Sequence, residues 1–246
     1  MGLWPRFSIV VKGWHASFPE PSLRRNSALE RPAIPHMDAI SRDRTLVGAP
    51  DVDLEAVHKP SREEAMEAVR TLIAWAGDDP RREGVLDTPK RVVEAFEEWF
   101  GGYHADPAAE LERTFEDVQG YDNIVFMRDI EVESHCEHHM APFIGKAYVA
   151  YLPTNRVVGL SKLARVVEIF SKRLQTQETL TQLIAEAIES NLQPAGVAIM
   201  IDAEHQCMTT RGVHHRHVST ITTRFTGVFK TDAALKDRFL RLAQGH

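Results

Sequence analysis

A chain of 246 residues is long enough for one large domain with an appendage and can bury a sizeable core. Its formal charge of −6 argues against a protein whose main business is a nucleic-acid backbone, so any anion site is local. No apolar run approaches the ~18 residues of a membrane span, and the only two cysteines, Cys136 and Cys207, could form one disulfide or serve a metal, the metal being the favoured expectation for reduced thiols.

Residues 1–60 read differently from the rest. Up to His36 the chain is rich in Pro, Ser and Arg, with Glu20 and Glu30 its only acids. Transit peptides share that composition, but so does translated upstream sequence, since Met37 opens a second plausible start. The expectation is a poorly structured extension on a cytoplasmic protein. From Ser61 the chain becomes regular. Ser61 and Glu64 form a capping box before Ala65, Val69, Leu72 and Ile73 at helical spacing, which predicts a helix of about 16 residues. A second helix follows in which Thr88 can cap and Pro89 suits the first position. Val92, Phe96, Trp99 and Phe100 make its apolar stripe and Gly101 can end it. Residues 61–120 thus form an N-terminal helical region.

"NIVFMRDIEVES" and "IGKAYVAYLP" have the β-branched and aromatic content of two strands, with Cys136 to Phe143 in the connection. Two helices come next. One turns Leu163, Val166, Val167, Phe170 and Leu174 inward, the other Leu180, Leu183, Ile184, Ala187, Ile188 and Leu192. "GVAIMIDAEHQCM" and "HVSTITTRFTGVF" read as strands and "DAALKDRFLRLA" as a closing helix. The fold class is α+β, with the order β-β-α-α-β-β over residues 121–246.

Cys136 and His139 form a Cys-x-x-His pair, a spacing that lets a sulfur and an imidazole reach one ion. Cys207 arrives with His205 two positions earlier, on the same face if that segment is extended. Two thiolates and one imidazole suit Zn²⁺, and three protein ligands leave a position open for water, as catalytic zinc requires; a closed four-ligand site that staples two loops is the structural alternative. His138 and His205 can act as acids or bases near neutrality, whereas His135 reads as a surface or packing residue. His214, His215 and His217 read as a solvated turn outside the metal site.

In "GLSKLAR", Ser161 and Lys162 open a helix with Arg165 one turn on, which is either an anion seat or ordinary capping with solvated charge. Arg211 and Arg216 add a basic run beyond Cys207, and a polyphosphate would explain both patches. Gln177 and Glu178 begin the next helix. Glu178 can simply favour the helix dipole, or its carboxylate can accept the paired donors of a guanine edge.

Together these residues resemble GTP cyclohydrolase I. The likeness runs from about residue 62 to 243 through "DTPKR", "CEHH", "GLSKLAR", "QTQETLT", "HQCMTTRGV" and "STITTRFTGVFK", in order and at family-like spacing. The resemblance implies a T-fold core and a toroidal homodecamer with active sites at subunit interfaces. It implies conversion of GTP to 7,8-dihydroneopterin triphosphate and formate. Carried onto matching positions, it makes Cys136, His139 and Cys207 the zinc ligands and His138 and His205 the acid/base pair, with His205 protonating N7 as the purine opens at C8. Ser161, Lys162, Arg165 and Arg211 would handle the triphosphate and ribose, Ser161 either holding phosphate or assisting the later sugar rearrangement. Gln177 and Glu178 would hold the guanine. The rival readings are a related T-fold enzyme acting on another purine or pterin, and a non-catalytic zinc-stapled binding module.

Overall fold

Fifteen helices and strands order the residues that the computed structural model describes, which are 59–112, 114–115, 123–215 and 217–245. The expected extension over 1–60 lies outside them except for Lys59 and Pro60. Residues His58–His246 form one compact unit.

Helix α1, Arg62–Trp75, starts on the predicted box: Ser61 Oγ accepts from the Glu64 amide and Glu64 from the Ser61 amide. It spans 14 residues and contributes no buried one. Helix α2, Thr88–Trp99, takes Asp87 rather than Thr88 as its N-cap, and a short 3₁₀ turn at Gly101–His104 follows it. Helix α3, Pro107–Leu111, is capped by Asp106, whose carboxylate accepts from the Ala108 amide.

Strand β1 is Thr114–Phe115, β2 Val125–Cys136, β3 Pro142–Leu152 and β4 Val157–Val158. Helix α4, Leu160–Ser171, strand β5, Leu174–Gln175, and helix α5, Gln177–Leu192, come next. Strand β6, Gly196–His205, helix α6, Gln206–Thr209, strand β7, Ser219–Phe225, and helices α7, Val228–Thr231, and α8, Ala233–Gln244, complete the chain. Leaving the two-residue strands and single-turn helices aside, the core order is the predicted β-β-α-α-β-β.

The main sheet runs β5-β2-β3-β6-β7, antiparallel except for the parallel β2–β5 pair. Alternation along its strands builds two cores. Ala147, Val149 and Tyr151 of β3 with Val197, Ile199 and Ile201 of β6 pack against Leu163, Val166 and Val167 of α4 and Leu180, Ile184 and Ile188 of α5. Ala150, Ala198 and Met200 pack instead with Phe229 of α7 and Phe239 of α8. Close approach of β3 to β6 depends on Gly145, where a Cβ would stand 2.0 Å from the Asp202 carbonyl oxygen.

Two boundaries differ from expectation in ways that matter below. β2 and β3 run further toward each other than predicted, taking in Cys136, Pro142 and Phe143, so only residues 137–141 connect them. β6 stops at His205, and Cys207 lies on the helical turn α6 instead of an extended strand.

Candidate metal centre

Cys136 ends β2 with both sides of its backbone engaged. Its amide donates to the Ala141 carbonyl at 2.8 Å, and its carbonyl accepts from His139 and Met140 at 3.2 and 2.8 Å. Met140 closes the turn in the left-handed region, φ 53°. A rigid strand end therefore presents a buried thiol, while His138 and His139 project into solvent from the turn.

The second half of the centre comes from β6. Antiparallel register sets His205 opposite Phe143, and the two rings stack at 4.7 Å and 11°. Ending the strand there lets α6 turn Cys207 back toward Cys136. Ligand atoms of Cys136, His205 and Cys207 all lie within 4.8 Å of one another. The two cysteines meet as predicted, but by a helical turn rather than the shared strand face argued from spacing. Among the described residues the group's third member is His205, not His139. His138 also comes close, its Nδ1 3.6 Å from the Cys136 Sγ.

Electrostatics at the centre favour a cation. Burial raises the Cys207 thiol's pKa, the adjacent Cys136 adds to that, and Arg211 pulls weakly the other way. A desolvated Cys207 thiol crowded against the Cys136 sulfur is relieved by a soft divalent ion, so the donor set fits zinc. Burial also lowers the His205 pKa, against an opposing pull from Glu178, which places Glu178 and Arg211 in the electrostatic reach of the centre.

Gln177, expected at the guanine, makes its hydrogen bonds here within the protein. It is buried at the start of α5, and its Nε2 donates to the carbonyls of Ile201 and Thr220 and approaches the Thr222 hydroxyl, at 3.0, 2.8 and 3.1 Å. With the amide's orientation set, Oε1 faces the Nε2 of His205 at 2.9 Å and must accept from it. His205 is thereby held in one tautomer, with Nδ1 unprotonated when the ring is neutral. Sequence reasoning missed this link and the Phe143 stack, because their partners lie in other strands.

Ser161, Lys162 and Arg165 open α4, and their ionic contacts run to α3: Lys162 Nζ donates to Glu110 Oε2 at 2.5 Å, and Arg165 Nη1 lies 3.5 Å from the same oxygen. His135 is a packing residue, 4.9 Å from the Trp99 ring and 5.2 Å from Phe100. His214, His215 and His217 are exposed and belong to no metal-capable group among the described residues.

A family model described as GTP cyclohydrolase I matches residues 65–244. The chain is 70% identical over 188 residues to the GTP cyclohydrolase 1 of Hyphomonas neptunium, covering 76% of this chain and 91% of that protein. It is 64% identical over 209 residues to the GTP cyclohydrolase 1 of Maricaulis maris, covering 85% and 99%. The solved archaeosine synthase QueF-Like in the apo form aligns at a TM-score of 0.34 and 15% identity over 42% of this chain and 93% of that one, too weak a likeness to bear on function.

Proposed function

The chain belongs to the GTP cyclohydrolase I family, and on that premise we propose how its own residues carry the reaction. It is an enzyme that converts GTP to 7,8-dihydroneopterin triphosphate and formate, in pterin and folate biosynthesis, on an α+β T-fold. The observation that carries the residue assignment is the meeting of Cys136 and Cys207 beside His205.

We assign Cys136, Cys207 and His139 to zinc, which when bound supplies Lewis acidity for the hydrolytic steps. His205, stacked on Phe143 and tied to Gln177 through Nε2, delivers a proton to the purine N7 from its imidazolium form. His138 stands beside the Cys136 sulfur as the second proton carrier. Glu178, at the start of α5, accepts the N1–H and amino donors of guanine, and Gln177 acts through His205. Lys162, Arg165 and Arg211 take the triphosphate, with Ser161 toward the phosphate or sugar. One specific observation favours a second reading. His205 itself has a ring nitrogen within 4.8 Å of both sulfurs, and its Nε2 is tied to Gln177 as the rings of metal-bound histidines are tied to outer partners, so it competes with His139 for the third ligand position.

Metal analysis separates the two. In the first reading His139→Ala loses zinc, while His205→Ala keeps about one ion per chain and turns over ~10²-fold or more slower. Zinc loss in His205→Ala would favour the second. The activity is tested by incubating metal-analysed protein with GTP and following formate and the ultraviolet change of the dihydropterin. Bound zinc without formate would favour a zinc-stapled binding module.

We further propose a cytoplasmic toroidal homodecamer with active sites shared between subunits. In support, no residue of α1 is fully buried within its own chain, and Leu72 and Trp75 are 63% and 86% exposed. No described helix is long and apolar enough to cross a membrane.

A further inference from the structure

The seat at the start of α4 already holds an anion from the protein itself. Glu110 Oε2 accepts from Lys162 Nζ at 2.5 Å and lies 3.5 Å from Arg165 Nη1, so one carboxylate oxygen bridges both cations. The Glu110 and Lys162 side chains are 24% and 26% exposed, which leaves their attraction less screened than that of a fully solvated pair. The hydrogen bond from Lys162 is the main cause holding the Glu110 carboxyl below the usual carboxylate range, so the bridging group is charged at neutral pH.

The placement is built into the fold. Asp106 caps α3, Pro107 starts it, and Leu111, adjacent to Glu110, has no exposure at all and belongs to the main core. Leu111 pins the backbone, so Glu110 can leave the cations only by turning its side chain. A cavity of about 380 Å³, lined in part by Glu110, Arg165 and Lys172, adjoins it and gives room for that turn.

We propose that Glu110 is an internal competitor for the triphosphate, occupying the Lys162–Arg165 seat in the free protein and swinging aside when a polyphosphate binds. The inference rests on the reading of Lys162 and Arg165 as the triphosphate seat. Carboxylate and phosphate oxygens seek the same donors, and Glu110 cancels one of the two positive charges there. A single phosphate gains little over the carboxylate already present, whereas a triphosphate brings enough charge to displace it. Glu110 thereby makes the seat selective for long phosphate chains.

Inorganic tripolyphosphate and orthophosphate are the probes, measured by calorimetry and by competition with GTP on the full chain. Glu110→Gln keeps the shape and an oxygen acceptor for Lys162 but removes the charge. It should bind tripolyphosphate roughly fivefold tighter or more, the scale of a partly exposed ion pair, with the KM for GTP falling and the preference over orthophosphate narrowing. Glu110→Asp, with shorter reach, should shift the same way by less. Unchanged binding in both variants overturns the proposal, and weaker binding means that Glu110 steadies Lys162 for the ligand. Lys162→Ala and Arg165→Ala should each weaken tripolyphosphate binding. If neither does, the seat itself is misassigned and the competitor falls with it, an outcome distinct from failure of the Glu110 variants alone.

Discussion

Gln177 and Glu178 are neighbours at the start of one helix with opposite fates. The Gln177 carboxamide is buried and satisfied by Ile201, Thr220, Thr222 and His205, while Glu178 is exposed. Replacing Gln177 with Leu removes the acceptor that orients His205 and strands two buried carbonyls. We expect turnover to drop about tenfold or more with zinc content kept and KM for GTP moving less, at about 1–3 kcal/mol of stability. A KM effect larger than the turnover effect would return Gln177 to the guanine. Glu178→Ala should instead weaken GTP binding far more than it lowers the melting temperature, and equal GTP affinity would remove the guanine assignment. The ligand-type residues were legible from spacing alone, because Cys-x-x-His and His-x-Cys are local patterns. The task of Gln177 was not, since its partners lie 24 to 45 positions away in two other strands.

At the scale of elements, the centre exists because two strands end in the right register. β3 sets Phe143 against His205, and the stop of β6 at His205 frees the next four residues to coil. Gly145 lies in the same ladder, and an added Cβ would fall 2.0 Å from the Asp202 oxygen and 2.5 Å from the Ala203 Cα. Gly145→Ala should cost about 1–3 kcal/mol through overpacking and reduce turnover by shifting the β3–β6 ladder; an unchanged melting temperature would show that the strands can separate freely there. The helix start at Ser61 was legible because capping is a local chemistry, and the structure adds Asp232 as the cap of α8, accepting from Ala234 and Leu235. The end of β6 was not, because "EHQCM" carries no Gly or Pro to mark it, and its extended and helical forms are separated by where Cys207 finds Cys136.

For the whole molecule, the sheet separates two cores and leaves the α1–α2 pair with a large apolar surface. Trp75→Glu should lower the sedimentation coefficient of the assembly with little loss of secondary structure; an unchanged coefficient would place the subunit contacts elsewhere. Removing metal with a chelator should abolish formate release and lower the melting temperature, and zinc should restore both, since a bound ion would join Cys136 at the end of β2 to Cys207 on α6. Full activity after verified metal removal would refute the zinc assignment. By itself the sequence determined the core element order, the inward faces of the two central helices and the soft donor types, because capping, periodicity and ligand chemistry are carried by residues close together in the chain. Only the tertiary structure decided that Cys207 reaches Cys136 from a helical turn, that Gln177 serves His205 and that Glu110 sits in the Lys162–Arg165 seat. Each of those contacts closes a long loop, and which partners then meet depends on sheet register and helix docking that no local pattern encodes.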